Sequence, residues 1–304
     1  MATPADTTNQ VPPAHTPKPA EANGKAHSPH VEPNNAGQTI NGPQKLSSPL
    51  SLKDRAAIVT GGSGGIGTEI CTHLATLGAK LVVAYLGDPA PAIAVVSAIN
   101  FLTAALPGTR AVAVEADISD EAQVKALFDK AEEAFGQRIH ILVAAAGVQD
   151  PSYPVVAEAT LEQWEKTFAV NARGTFLCCR EAARRLVRGG GGRIITMSSS
   201  TVGTVRQGCA VYSATKAAVE MMTRVLSKEM KGARITANAV APGPIRTALF
   251  FAGKTEEKVR AAEAENPMGR IGEPADVAPV VGFLASDAGE WVNGQVIRVN
   301  GGYI

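Results

Sequence analysis

The chain has 304 residues, 45% hydrophobic and 19% charged, with a formal net charge of +1 at pH 7. That length can bury the core of one large α/β domain, and so balanced a charge gives no electrostatic footing for nucleic acid or an anionic membrane surface. No apolar run reaches the roughly 18–20 residues that would span a bilayer. The four cysteines (Cys71, Cys178, Cys179 and Cys209) form no C-x-x-C pair. His15, His27 and His30 lie in the Pro-rich N-terminal stretch and His73 and His140 suggest no ligand set, so reduced, buried thiols and no metal site are expected.

Residues 1–50 carry nine of the 19 prolines and no aromatic residue. Such a composition cannot bury enough apolar surface to offset its ordering entropy, which predicts a disordered tail. It lacks the apolar stretch of a secretory signal. It also lacks the arginines of a plastid transit peptide, while Asp6, Glu21 and Glu32 are present. The cytoplasm is therefore the expected compartment and the chloroplast the alternative.

From Ser51 to Ile304 seven short β-branched runs follow one another: AAIVT, KLVVAY, RAVAVEA, HILVAAA, RIITMS, RITANAV and QVIRVN. Longer helical stretches separate them. This predicts a single, doubly wound, Rossmann-type α/β domain: a seven-stranded parallel sheet with helices on both faces. The first strand runs into Thr60-Gly-Gly-Ser-Gly-Gly-Ile-Gly67, and a helix follows directly. A strand, a glycine turn and a helix N-terminus present unpaired N–H groups and a partial positive charge suited to a pyrophosphate. Further on, Thr160-x-x-Gln163 reads as a capping box opening a long helix, which Gly189–Gly192 would end. Tyr212 and Lys216 stand four apart on a predicted helix, so both side chains leave the same face.

The glycines at 61, 65 and 67, the YSATK of Tyr212–Lys216, ADIS after the third strand, Asn171-Ala-Arg-Gly174, a serine run after the fifth strand and PGPIRT at Pro242–Thr247 together resemble the short-chain dehydrogenase/reductase family. The likeness runs from about Ser51 to Ile304. Within the family, RGGGGRII, FFAGKTEEKV and the C-terminal WVNGQVIRVNGGY resemble a plant NADPH-dependent aldehyde-reductase-like branch.

The resemblance implies a dinucleotide cofactor. Its pyrophosphate would lie over Gly61, Ser63, Gly65, Ile66 and Gly67, and its adenine beside Asp117 and Ile118. Its ribose would meet Ala145, Ala146 and Gly147, and its carboxamide the segment of Pro242, Gly243, Ile245 and Thr247. The family's NNAG is AAAG here (Ala144–Gly147), which keeps main-chain contacts and loses the first asparagine's side-chain bonds. The second strand ends at Tyr85 rather than at an acid, which favours NADPH over NADH; Asp88, and Gly64 in the loop slot where NADP-preferring members often carry a basic residue, weigh the other way.

By the same resemblance Tyr212 is the general acid and Lys216 holds the ribose hydroxyls. Asn171 completes a proton relay, and a serine bonds the substrate oxygen. Ser199 is the expected serine, with Ser200 the alternative. The Lys216 ammonium, joined by the positive ring of an oxidised nicotinamide, is expected to lower the Tyr212 phenol below its ordinary value near 10. The substrate wall should come from Val148–Pro154, Val202–Gln207 and the segment after Thr247, where Phe250 and Phe251 either cap an apolar substrate or pack a lid. No cluster of arginines faces the expected mouth, so a strongly anionic substrate is disfavoured, and Arg206 and Arg246 alone do not change that.

The expected activity is NADPH-dependent reduction of a small aldehyde or ketone. Alternatives are an alcohol dehydrogenase or ketone reductase of specialised metabolism, a 3-oxoacyl-carrier reductase and, remotely, a non-catalytic NADP-binding sensor. The family habit also implies a homotetramer or homodimer.

Overall fold

The computed structural model describes residues 48–304. The segment expected to be disordered lies almost wholly outside them. Seven parallel strands form one sheet: β1 (Ala56–Thr60), β2 (Lys80–Tyr85), β3 (Ala111–Glu115), β4 (Ile141–Ala144), β5 (Gly192–Met197), β6 (Ile235–Pro242) and β7 (Val296–Val299), in the order β3-β2-β1-β4-β5-β6-β7. Helices α1 (Gly65–Thr76), α2 (Ala90–Leu102), α3 (Glu121–Phe135), α4 (Leu161–Phe168), α5 (Thr175–Arg185), α6 (Thr201–Thr204), α7 (Ala210–Glu229), α8 (Ala248–Phe251), α9 (Glu256–Glu265) and α10 (Pro274–Ala285) connect them.

The period-two alternation of a strand divides the core. Ala57, Val59, Leu81, Val83, Ile141 and Val143 face one side of the sheet, where α1 contributes Ile70 and Leu74 and α10 contributes Val277 and Val281. Ala56, Ile58, Val82, Leu142 and Ile194 face the other, against Phe128 of α3, Leu177 and Ala182 of α5 and Leu226 of α7. Both faces are covered, which is why the strands read as nearly continuous apolar runs. The thiols of Cys71, Cys178 and Cys179 are buried in these layers, and burial holds all three well above the ordinary thiol value. Among the described residues no helix is long and apolar enough to cross a membrane.

Two features of register place the site. Thr60 lies level with Ala84 of β2 and with Ala144 of β4, so the central strands end on one line. The order reverses between β1 and β4, and the loops leaving those two ends open a crevice there.

The expected long helix after Thr160 is interrupted. Its capping box forms as predicted, the Thr160 hydroxyl accepting from Gln163 N–H and the Gln163 side chain accepting from Thr160 N–H. After α4, however, residues Ala169–Gly174 make a π turn before α5 begins. A π turn carries one residue more than an α turn and re-aims side chains locally. The helix also ends at Arg185, ahead of the glycine run, because Leu186 turns to an extended conformation and buries in the core. Thr160→Ala should lower stability by about 1 kcal/mol through loss of the cap. Urea unfolding would measure this, and an unchanged midpoint would show that the cap carries no weight.

Candidate active site

Helix α1 has Gly64 as its N-cap, with no side-chain cap bond, and its first turn holds no acidic residue. The N–H groups of Ser63, Gly65, Ile66 and Gly67 make no hydrogen bond to any described residue, while Gly64 N–H bonds Gly61 C=O at 3.1 Å. A Cβ on Gly67 would stand 2.1 Å from that same Gly61 oxygen, so the first turn of α1 can lie on the loop only with glycine there. Four unpartnered amides at a helix N-terminus with no carboxylate among them form a donor set that fits a pyrophosphate.

Helix α7 carries Tyr212 and Lys216 into the crevice. Lys216 is 4% exposed, and its ammonium donates to the Met197 carbonyl at 2.8 Å and lies 5.6 Å from the centre of the Tyr212 ring. Desolvation brings Lys216 down to about 8. Desolvation also pushes the Tyr212 phenol up to about 12, against a hydrogen bond with Ser199 that pulls it down. In the chain alone burial is the largest influence on Tyr212; the expected lowering belongs to the complex with an oxidised nicotinamide.

Three consecutive serines are separated by their partners. Ser198 Oγ donates to Glu220 at 2.7 Å. Ser200 Oγ lies 3.4 Å from the Ala241 carbonyl and accepts from Asn300 at 3.1 Å. Ser199 is half-buried and turns to Tyr212. The structure thus brings Ser199, not Ser200, to the tyrosine.

Asn171 sits in the π turn, fully buried. Its Nδ2 donates to Val148 C=O at 2.8 Å and to Thr215 Oγ1 at 3.2 Å, and its Oδ1 accepts from Val148 N–H at 2.8 Å. Its amide is thus committed to pinning the loop after β4. A Cβ on Gly147 would meet both Asn171 Oδ1 and Lys216 Nζ, at 3.3 and 3.4 Å, so the two groups converge under that loop.

The profile of the family described as Enoyl-(Acyl carrier protein) reductase matches residues 61–304. An Arabidopsis thaliana protein named NADPH-dependent aldehyde reductase-like protein, chloroplastic, is 53% identical over 260 residues, which are 84% of this chain and 96% of that one. NADPH-dependent aldehyde reductase 2, chloroplastic, of the same plant is 50% identical over 261 residues, 84% of this chain and 96% of that one. The crystal structure of a dehydrogenase/reductase from Sinorhizobium meliloti 1021 superposes with a TM-score of 0.78 at 35% identity, covering 85% of this chain and 98% of that one. The chain belongs to the short-chain dehydrogenase/reductase family.

As a short-chain dehydrogenase/reductase it is an NAD(P)-dependent oxidoreductase, and the remaining cofactor candidates of this dehydrogenase/reductase lie at or just after the ends of β2, β3, β4 and β6. Tyr85 ends β2 and is half-buried. Asp117 Oδ1 accepts from both N–H and Oγ of Ser119, and Ile118 packs where a Cβ on Gly174 would meet it at 2.7 Å. The AAAG departure is absorbed locally: Ala144 is buried in the core, and Thr60 Oγ1 takes the Ala146 N–H at 3.2 Å. Pro242, Gly243, Ile245, Thr247, Ala145 and Gly147 line a cleft of about 420 Å³ that Tyr212 also faces.

The sequence reading missed the substrate side's charge. Lys254 and Lys258 line this cleft with Arg206 and Lys216, and among the described residues lining it none is acidic. Phe250 lines it too, while Phe251 stands edge-on to Phe250 at 5.4 Å and is exposed. The available signal was a lysine set among aromatic and small residues in FFAGK; nothing local showed which way it turned.

Because the folded value of Lys216 lies below its ordinary 10.5, the unfolded chain holds a proton between about 8 and 10.5 that the folded chain has released. Stability then rises with pH across that window, and the protonated form below it costs the fold. Urea midpoints at pH 7.5 and 9.5 should show Lys216→Met losing this rise relative to the parent protein; parallel changes in the two would contradict it.

Proposed function

We propose that the chain reduces aldehyde or ketone carbonyls to alcohols with NADPH, the proton coming from Tyr212. The observation that carries this reading is that Tyr212, Ser199 and the buried Lys216 line one cleft together. The relatives' names support both the cofactor and the aldehyde class. When bound, NADPH supplies the hydride that reaches the carbonyl carbon. Ser199 donates a hydrogen bond to the carbonyl oxygen, and Tyr212 gives that oxygen its proton as negative charge develops.

Burial keeps Tyr212 protonated through neutral pH, the state an acid needs. Lys216 would meet the ribose hydroxyls. Asn171 acts by holding Val148, and so the wall of the cleft, in place. The free amides of Ser63, Gly65, Ile66 and Gly67 would take the pyrophosphate, with Gly61 bending the loop and Asp117 and Ile118 beside the adenine. Tyr85 ends β2 without an acid, and the Asp88 carboxylate is engaged by Ala90 N–H at 2.9 Å, which supports NADPH over NADH.

A homotetramer or homodimer fits the large side chains left exposed on the helices around the π turn, Trp164 and Phe176 among them. The relatives' printed names support the chloroplast over the cytoplasm as compartment.

Initial rates with hexanal should be higher with NADPH than with NADH. Tyr212→Phe should lower kcat by at least about 10²-fold while NADPH binding, followed by its fluorescence, stays within about threefold of the parent. A variant that keeps its rate would remove Tyr212 from the chemistry, and equal rates with the two cofactors would overturn the NADPH assignment.

A further inference from the structure

Lys254 follows Gly253, whose Cβ position would fall 1.8 Å from the Pro151 carbonyl oxygen, so only glycine lets this chain crossing lie directly on the loop after β4. That contact delivers Lys254 to the inside of the cleft. Its ammonium donates to the Tyr153 hydroxyl and, at 2.6 Å, to the Phe250 carbonyl. It also lies 4.4 Å from the centre of the Tyr153 ring and 4.5 Å from that of Phe250, held between two aromatic faces. Among the described residues it has no carboxylate partner.

The neighbouring charges do not relieve this. Arg206 is satisfied by Glu265 and stacks on the Tyr303 ring at 5.1 Å, whereas Lys258 adds a second exposed cation at the mouth. Cys209 is buried nearby, its Sγ accepting from Gln149 Nε2 at 3.7 Å. Tyr153, which holds this ammonium, lines the same cleft as Tyr212. Half-burial already lowers Lys254 from its ordinary value, as expected of an ammonium lacking a counter-charge.

We propose that Lys254 is a specificity residue, and that the cleft takes carbonyl compounds bearing a carboxylate on the side away from the reacting carbon. Tyr153 and Phe250 fix the ammonium in position, and a carboxylate would complete it with a charge-assisted hydrogen bond in a cleft whose described lining holds no acidic residue. The proposal rests on the carbonyl-reductase reading and adds the substrate's second group to it. Lys254 acts through binding, so its effect belongs in KM and not in kcat.

The test compares 4-carboxybenzaldehyde with its methyl ester, two aldehydes that differ chiefly in that charge. Rates with NADPH should favour the acid by about tenfold or more in kcat/KM, and Lys254→Met should remove that preference through KM, leaving the ester nearly unchanged. Lys254→Arg should restore most of it, and Lys254→Gln stands in should the methionine variant fold poorly. Calorimetry of the NADP-loaded protein with 4-(hydroxymethyl)benzoate and its methyl ester reads the same site without turnover. Tighter binding of the acid, lost in the variant, upholds the site even if neither aldehyde is reduced; that combination would instead contradict the reductase reading. Equal affinity for acid and ester, or an equal loss of both in the variant, would make Lys254 a mere strap between loops and overturn the proposal.

Discussion

Burying a lysine ammonium beside a tyrosine phenol is the constraint on which the rest of this structure depends. Each group is costly to remove from water, and each cost appears as a displaced ionisation: Lys216 down to about 8, Tyr212 up to about 12. The fold meets that cost with few bonds. Met197, the last residue of β5, gives Lys216 its carbonyl, and Ser199, two residues on, stands beside the Tyr212 phenol and pulls its value down. Both partners leave the same strand end, so the site is as rigid as the sheet edge that carries it.

The sheet order explains why those partners lie beside a cofactor-sized crevice. Strands β1 and β4 end level, and their loops part at the point where the order reverses. One loop leads into α1 with free amides; the other is pinned by Asn171 through paired bonds to Val148. The π turn that contains Asn171 is thus a positioning device: an inserted residue gives up helical regularity in exchange for an amide aimed at a loop 23 positions away in sequence.

What the sequence revealed follows from how local each signal is. The seven strands are legible because both faces of the sheet are covered, so their apolar runs are nearly unbroken. The capping box and the Tyr212–Lys216 spacing are legible because each lies within one helical turn or so. The choice among Ser198, Ser199 and Ser200 is not local. It is made by Glu220 and Asn300, residues 22 and 100 positions away, which claim the outer two serines. Lys254 was illegible for the same reason, since its phenol partner lies 101 residues earlier in the chain. The π turn has no composition of its own, and Asn171-Ala-Arg-Gly174 read as ordinary helix. The raised Tyr212 of the chain alone was not legible because sequence displays a neighbouring charge but not the degree of burial.

The central claim is that the protein alone holds Tyr212 as a protonated phenol, ready to give its proton. Ultraviolet difference titration of the parent protein against Tyr212→Phe isolates that one phenol among the four tyrosines. The account predicts that, without cofactor, the difference signal stays flat through pH 10 and rises only above it, and that saturating NADP moves the rise to lower pH by adding a positive ring nearby. A phenol that titrates near 10 or below in the protein alone, unmoved by NADP, would contradict it.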